Sequence, residues 1–431
     1  MNKAAAASAY EVFQIEKNGK VIDISGTDPY GPKPTSFDYY ESLLSPNVSA
    51  VLSIMDIGGS TKYDSKYDKQ SRYGTLSSAF LLSGDINVSF KITNKSGSES
   101  LDFTKNPLIF DKQINPSQES NREGIILNLV SREAKTNMES TIAKTYRGKI
   151  SENVRKILIE ELKVAGNRIF TDETKIPYDF EGKNRNPFSV IIESLCPRST
   201  PIQGNPGYFF YETRTGFNFR SIDSLISQSP PPGVGEYYRT DVLKSNLEND
   251  QNDYKIVRKC DIKKEDVITS LKSGVYKSRN YFFNHKTLKY EEVDYSLTSL
   301  EESLGKDIEI PNVSSFTRTY FNIKDIASLS STVSGSENND PKEWQAKSPM
   351  RYNSLFTQII EVQVPCNLKL KAGDTIFCNF ETITQDKKVE GAVDPVNSGK
   401  YLIVNLCHHF DPLRSFTSMT LVRDSYGLYK K

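Results

Sequence analysis

Hydrophobic positions along the chain fall into short runs with two different periods. From about Phe37 to Ser131 the runs are "VSAVLSIMDIGG", "TLSSAFLLSGDINVSFKI", "NPLIFDKQI" and "EGIILNLVSRE". Each is short, rich in β-branched or aromatic residues, and bounded by Gly, Pro, Asn or Ser. That pattern predicts strands of a small antiparallel barrel or sandwich. The period then changes. In "ISENVRKILIEELKVAG" the residues Ile150, Val154, Ile157, Leu158, Leu162 and Ala165 recur at helical spacing. Ser151 is the predicted N-cap and Gly166 the stop. A second helix is predicted in "NPFSVIIESL", capped by Asn186, opened by Pro187 and ended by Pro197.

Strand character returns in "GYFFYETRTGFNFRSIDSL", where two runs flank Arg214-Thr215-Gly216 and Gly216 suits the positive-φ position of a hairpin loop. Phe209, Tyr211 and Thr213 alternate with Phe210 and Glu212, while Phe217 and Phe219 share a face. Aromatics on both sides suit a strand packed between two surfaces, in a core or a subunit interface, better than a sugar-stacking platform. After the extended break "SPPPGVG" a polar region runs to Pro349, with "SNLENDQND" and "SLSSTVSGSENND" reading as loops. The β pattern resumes in "FTQIIEVQVPCNLKLKAGDTIFCNF" and "GKYLIVNLCHHF…TSMTLVRDS".

Two of these segments are laid out alike. "SGDINVSFKI", "PLIFDKQINPSQ" and "GIILNLVSRE" match "AGDTIFCNFETI", "KYLIVNLCHHFDP" and "TSMTLVRDS" in order. Each set has Gly-Asp leading into a strand, then an apolar strand, a polar turn and a return strand. The spans agree, Asp85 to Val130 being 130 − 85 = 45 and Asp374 to Val422 being 422 − 374 = 48. A duplication implies two similar β-domains in one chain, with other modules inserted between their strands.

Composition narrows the function classes. The chain has 23 Tyr and 22 Phe against one Trp, which leans towards β structure. A net charge of +1 gives no broad attraction to nucleic acid. Five dispersed cysteines, Cys196, Cys260, Cys366, Cys378 and Cys407, form no CxxC pair, so neither a disulfide framework nor a zinc ribbon is expected. Folding in a reducing cytoplasm is the simpler reading. "MNKAAAASAY" is too weakly apolar for a signal peptide, and no run approaches the ~20 residues of a membrane span, so stable membrane insertion is not expected.

The chemical candidates are few. In "CHHF" the side chains of His408 and His409 point to opposite faces of a strand, so both cannot ligate one metal; Cys407 and His409 share a face. Two ligands fall short of a structural zinc site, and no flanking motif supports a Cys/His nucleophile pair. A strand histidine making a hydrogen bond or an interface contact is the better reading. "DIGGSTKYD" lacks the P-loop spacing, and "GVGEYY" reads as a loop. The acidic run around Glu291 and Glu292 reads as a solvated face rather than a glycosidase pair. No catalytic, metal or cofactor residue is predicted.

"VPCNLKLKAGDTIFCNF" followed by "SGKYLIVNLCHHF…FTSMTLVRDSYG" resembles the baseplate hub protein of contractile-tailed bacteriophages, whose fold type VI secretion spike hubs share. "FDYYESLLSPNVSAVLSIMD" and "YFFYETRTGFNFRSIDSL" look like hub segments too, whereas 236–350 carries little of the resemblance. The resemblance implies a mainly β chain with inserted α+β modules and two antiparallel β-barrel tube domains, assembling as a pseudo-hexameric homotrimer. The expected division is 10–135 for the first tube-like domain and 136–205 for an α+β module. Residues 206–235 with 354–431 form the second tube-like domain, and 236–353 a variable insert. It also implies a late, non-enzymatic virion protein of the tail baseplate, made in the host cytoplasm. Implied partners are the central spike, the tail tube or its initiator, the wedges and the tape measure protein, with DNA passing through the lumen. The competing readings are a receptor- or glycan-binding tail module, and a hydrolase using His409 or the Glu291–Glu292 run.

Overall fold

Most of the predicted strands join one continuous sheet in the computed structural model. The structure describes residues 8–59, 61–64, 71–79, 82, 84–93, 99–119, 122–239, 254–264, 266–285, 287–297, 315–324, 341–383 and 392–427. The two loop-like stretches "SNLENDQND" and "SLSSTVSGSENND" lie outside these.

The order of the sheet is Arg258–Lys264, Gln358–Pro365, Ser415–Arg423, Gly399–Phe410, Lys33–Ser42, Ser49–Asp56, Arg122–Val130, Leu108–Glu119, Asn87–Thr93, Ala9–Lys17 and Lys20–Asp23. Thr375–Phe380 adds to Gly399–Phe410 and carries Glu236–Arg239 parallel to it, and Ser100–Asp102 adds to Asn87–Thr93. Among the described residues this path does not close on itself, so the expected closed barrels are seen here as an open sheet.

Alternation decides which way each strand faces. In Ser49–Asp56 the residues Ala50, Leu52 and Ile54 are buried while Ser49, Val51 and Ser53 are half-exposed, as period-2 patterning requires. One core gathers Phe13, Phe37, Leu52, Phe90 and Leu127 from the N-terminal strands. A second gathers Ile360, Val362, Ile376, Tyr401 and Leu421 from the C-terminal ones.

The two groups of strands repeat one connection pattern. Asn87–Thr93, Leu108–Glu119 and Arg122–Val130 pair in sequence, and Arg122–Val130 then pairs with Ser49–Asp56, which pairs with Lys33–Ser42. Thr375–Phe380, Gly399–Phe410 and Ser415–Arg423 do the same, followed by Gln358–Pro365 and Arg258–Lys264. Each middle strand carries a bulge at one equivalent place, skipping Asp111 in the first set and Val404 in the second. Val130 and Val422 are equivalent, but Asp374 matches Ile86 rather than Asp85. The bond from Phe110 N to Ile86 O (3.0 Å) has its counterpart in Ile403 N to Asp374 O (2.9 Å).

Several local expectations shift. Leu76–Ala79, read as part of a strand, is a short helix. The first predicted helix runs Ile150–Glu160 with Lys149, not Ser151, at its N-cap. Ser151 is buried two residues further on, within the first turn, where its hydroxyl accepts from Thr174 N at 3.2 Å. The helix stops before Gly166, at Glu161, and Lys163 turns the chain with φ +58°. Asn186 is an N-cap, but its amide donates to Asn137 O (2.8 Å) and Ser140 O (3.0 Å) instead of closing the helix. Strands Glu236–Arg239 and Arg258–Lys264 come from the stretch read only as polar, which also folds a small sheet of Lys277–Asn284, Lys289–Ser296 and Arg318–Ile323.

Candidate functional site

The feature that organises the molecule is the joint between the two strand groups. Lys33–Ser42 pairs antiparallel with the last half of Gly399–Phe410, from Asn405 opposite Ser42 to Phe410 opposite Phe37. The motif "CHHF" therefore lies on the joint, and alternation sends its two histidines to opposite faces.

His408 points inward and is 1% exposed. Its Nδ1 is 2.9 Å from the Thr417 hydroxyl, and its ring stacks on Tyr39 across the joint with centroids 6.4 Å apart. Burial, reinforced by the Arg214 charge, pushes its pKa down to about 3, because a charged imidazolium cannot be solvated there. On the same face Glu41 is buried and accepts from Tyr39 Oη (2.9 Å), Arg214 N (2.6 Å) and Ala372 N (2.9 Å). Burial raises its pKa, against those three bonds. One carboxyl thus ties together the first strand group, the aromatic hairpin and the turn before Thr375.

His409 points the other way. Its Nδ1 lies 2.5 Å from Asp38 Oδ1, and its Nε2 lies 3.6 Å from Asp411. The bond to Asp38 raises its pKa. Cys407 shares this face, with its Sγ 3.8 Å from Asp38, and burial pushes its thiol up to about 12, the wrong direction for a nucleophile. Among the described residues no group of three or more His, Cys, Asp or Glu has metal-binding geometry.

The face that carries His409 continues across the sheet. Registers place Asn128, Val51, Asp38, His409, Phe416 and Gln363 on it, in neighbouring strands. It is rich in Ser, Thr, Asn and Gln, and above the joint it forms a shallow cavity of about 600 Å³ bordered by Tyr40, Cys260, Glu361 and Cys407. Among the lining residues Arg258 is the one Lys or Arg.

The other candidates resolve into structure. The aromatic hairpin turns at Arg214-Thr215, with Thr213 opposite Gly216. Gly216 has φ +135° and sits against the Arg168 carbonyl, so it opens the return strand instead of filling the loop. Phe210, Phe217 and Phe219 enter the core of the 142–219 module, while Phe209 and Tyr211 pack with Leu402 and Val422. All five are buried, so the hairpin is not a sugar platform. Glu291 is held by Lys342 (2.6 Å) and Lys324 (2.9 Å), and Glu292 by Arg279 (3.0 Å). Those cations lower the Glu291 pKa, which suits an ion pair rather than a general acid. His285 is exposed.

The sequence missed a buried ionic centre that fastens the helix Lys347–Leu355. Arg351, fully buried, bonds Asp223 (2.8 Å) and Asp424 (2.9 Å). The three residues are distant in sequence, so no local spacing reveals them.

No family model matches the chain, and no curated protein does. Solved structures do. The tail protein from Neisseria meningitidis MC58 aligns with TM-score 0.53 at 9% identity, over 96% of this chain and 97% of that one. The 43 kDa tail protein of prophage MuSo2 from Shewanella oneidensis aligns with TM-score 0.54 at 9% identity, over 96% of this chain and 99% of that one. A component of the E. coli type VI secretion system aligns with TM-score 0.41 at 10% identity, over 97% of this chain and 79% of that one. The chain has the mainly β fold of the first two, which are tail proteins.

Proposed function

We propose that the chain is the central hub of a phage tail baseplate, a virion protein that adapts the sixfold tail tube to a threefold spike and does no chemistry of its own. The observation that carries this reading is the repeated strand pattern with a sheet joint between its two copies. Two similar units per chain let three chains present six similar units in a ring, as a closed homotrimer requires. In that reading the division is 10–135, 136–205, 206–235 with 354–431, and 236–353, with Glu236–Arg239 and Arg258–Lys264 lent to the second tube-like unit and the hairpin Tyr208–Ser221 shared with the 136–205 module, whose sheet and core it joins. The tube or its initiator would sit on the sixfold side, near the tape measure protein, and the spike on the other. Wedges would contact the inserted modules.

The polar face through Asp38, His409 and Gln363 would line the passage for DNA. At the cavity over the joint, where Arg258 is the one Lys or Arg among the lining residues, phosphate could slide past without being captured. The fold shared with two tail proteins supports a structural role, and the burial of the hairpin aromatics weighs against the glycan-binding reading.

The test is the native mass of the purified chain by light scattering, alone and mixed with its candidate spike partner. A trimer in either condition is the expected result. A strict monomer in both overturns the adaptor reading.

A further inference from the structure

Two carboxyls share one guanidinium where the 142–219 module meets the first strand group. Arg168 ends the short turn Gly166–Arg168 and reaches out of the module. Its Nη1 bonds Glu133 at 3.0 Å and its Nη2 bonds Glu212 at 3.1 Å. Glu133 lies in the first turn of the helix Arg132–Glu139, and Glu212 lies on the aromatic hairpin. The second Glu212 oxygen accepts from Val48 N, also at 3.1 Å. The Glu212 side chain is 1% exposed, against 13% for Glu133 and 17% for Arg168.

The charges at this seam do not balance. One cation stands between two acids, so with both ionised the seam buries a net negative charge, which a site shielded from water resists. The groups around Glu212 on other elements do not supply the missing cation. Strand Lys33–Ser42 brings Tyr39 and Glu41, and the hairpin turn brings Arg214. The Arg214 backbone N–H goes to Glu41 and its guanidinium to the Lys369 carbonyl. These residues add one acid and one cation, so the excess of one carboxyl remains. His408, stacked on Tyr39, is kept neutral by its burial. Burial and the Glu133 charge together raise the Glu212 pKa.

Ser131 stands ready to receive a proton. It is the N-cap of the helix Arg132–Glu139 but makes no capping bond with its side chain. Its N–H donates to Val48 O at 3.2 Å, which sets it beside Glu212. Its hydroxyl is buried and has no partner among the described residues. A protonated Glu212 therefore has an acceptor at hand, while its carbonyl oxygen keeps the bond to a neighbouring donor.

We propose that Glu212 carries a proton at neutral pH, directed at the Ser131 hydroxyl, and that this proton latches the 142–219 module to the first strand group. As pH rises the proton passes to solvent and the latch loosens. A carboxyl whose folded pKa is raised stabilises the closed seam fully below the ordinary carboxylate value, and that contribution is lost as pH rises through the folded value. Between the two values the closed seam holds a proton that the open seam releases. Each pH unit then raises the opening equilibrium about tenfold.

The experiment uses the full chain. Backbone hydrogen exchange is followed by mass spectrometry at pH 5.5 and 7.5 in peptides covering Val48 and Arg168, each rate divided by its intrinsic value at that pH. Wild-type protection should fall about a hundredfold over this interval. It should hold steady in Glu212→Gln, whose amide reproduces the hydrogen bonds of the protonated acid. Infrared spectra at pH 7 should show a protonated-carboxyl C=O stretch that weakens in Glu212→Gln. The stretch should weaken in Glu133→Gln as well, where one carboxylate suffices for Arg168. If Glu212→Gln does not fold, Glu133→Gln carries both measurements with the same expectations. Protection that falls equally in wild type and variants overturns the latch. A stretch unchanged in both variants overturns the bound proton. A stretch that weakens only in Glu41→Gln places the proton on the neighbouring carboxyl and overturns its assignment to Glu212.

Discussion

Acid should loosen the joint through His408, and by an amount that follows from its burial. The ring sits between Thr417 and Tyr39, with the Arg214 charge nearby, and its folded pKa is about 3 against an ordinary 6.5. A base whose folded pKa is depressed favours the folded state when neutral. Its contribution is complete above pH 6.5 and is lost as pH falls through 6.5 towards 3. At pH 5 the unfolded state gains a protonation advantage of about 30-fold, or roughly 2 kcal/mol. That is a large part of a stability of about 5–15 kcal/mol. The neighbouring His409 works the other way, since its pKa is raised by Asp38. Its contribution is present below the ordinary histidine value and fades as pH rises through the folded one. Two adjacent residues on one strand thus titrate with opposite sign because alternation gave them opposite faces.

The assay is urea unfolding by circular dichroism at pH 7 and pH 5, for the wild type and His408→Leu. Carboxylates and His409 titrate in both proteins, so they cancel in the comparison. The wild type should lose about 2 kcal/mol more between the two pH values than the variant does. Equal losses would show that His408 does not pay a burial cost on protonation, and the reasoning would fail.

Three further perturbations probe the rest of the molecule. Arg351→Met removes the cation between the buried carboxylates of Asp223 and Asp424 and should cost about 3–5 kcal/mol in urea unfolding, most of it recovered by adding Asp223→Asn and Asp424→Asn. Gly216→Ala drives a Cβ into the Arg168 carbonyl at a positive φ, and calorimetry should show a loss of at least about 2 kcal/mol. Glu291→Gln and Glu292→Gln disturb exposed ion pairs only, so stability should change by less than about 1 kcal/mol and the native mass should not move.

The sequence made strand faces legible where one side is buried and the other is not. Leu52 and Ile54 turn inward, and His408 and His409 part company, as alternation requires. The repeated strand order was legible too, because spacing survives when identity does not; the Gly-Asp landmark misled by one residue, since a turn can slide while the strands beyond it keep register. Edge strands were not legible. "EYYR" buries Tyr237 alone, none of Arg258–Ile262 in "RKCDIKK" is buried, and their polar residues mimic a loop. The joint was invisible for a different reason. Pairing between Asp38 and His409 spans most of the chain, and nothing local to either strand encodes its partner. Ser151 was misread because the cap signature is equally satisfied by a buried hydroxyl that bonds Thr174 from inside the helix.

The same joint argues that the first strand group is not an independent folding unit. Its core includes Cys366, Leu368 and Phe410, all supplied by the C-terminal group. Phe410 stacks on Phe37 with centroids 6.2 Å apart, and the Leu43 N–H donates to Val404 O at 2.9 Å. A fragment covering residues 8–135 would lose two large buried side chains, Phe410 and Leu368, worth about 1.5–3 kcal/mol each. It would also expose the Phe37–Ser42 edge of Lys33–Ser42 as a new unpaired strand. Together these losses approach the total stability of a small domain. The fragment should therefore show no cooperative thermal transition alone and should aggregate. Co-expression with residues 136–431 should restore a soluble, cooperatively unfolding complex. A fragment that melts cooperatively by itself would mean that the joint is a docking of finished domains, and that the shared core contributes far less than its burial implies.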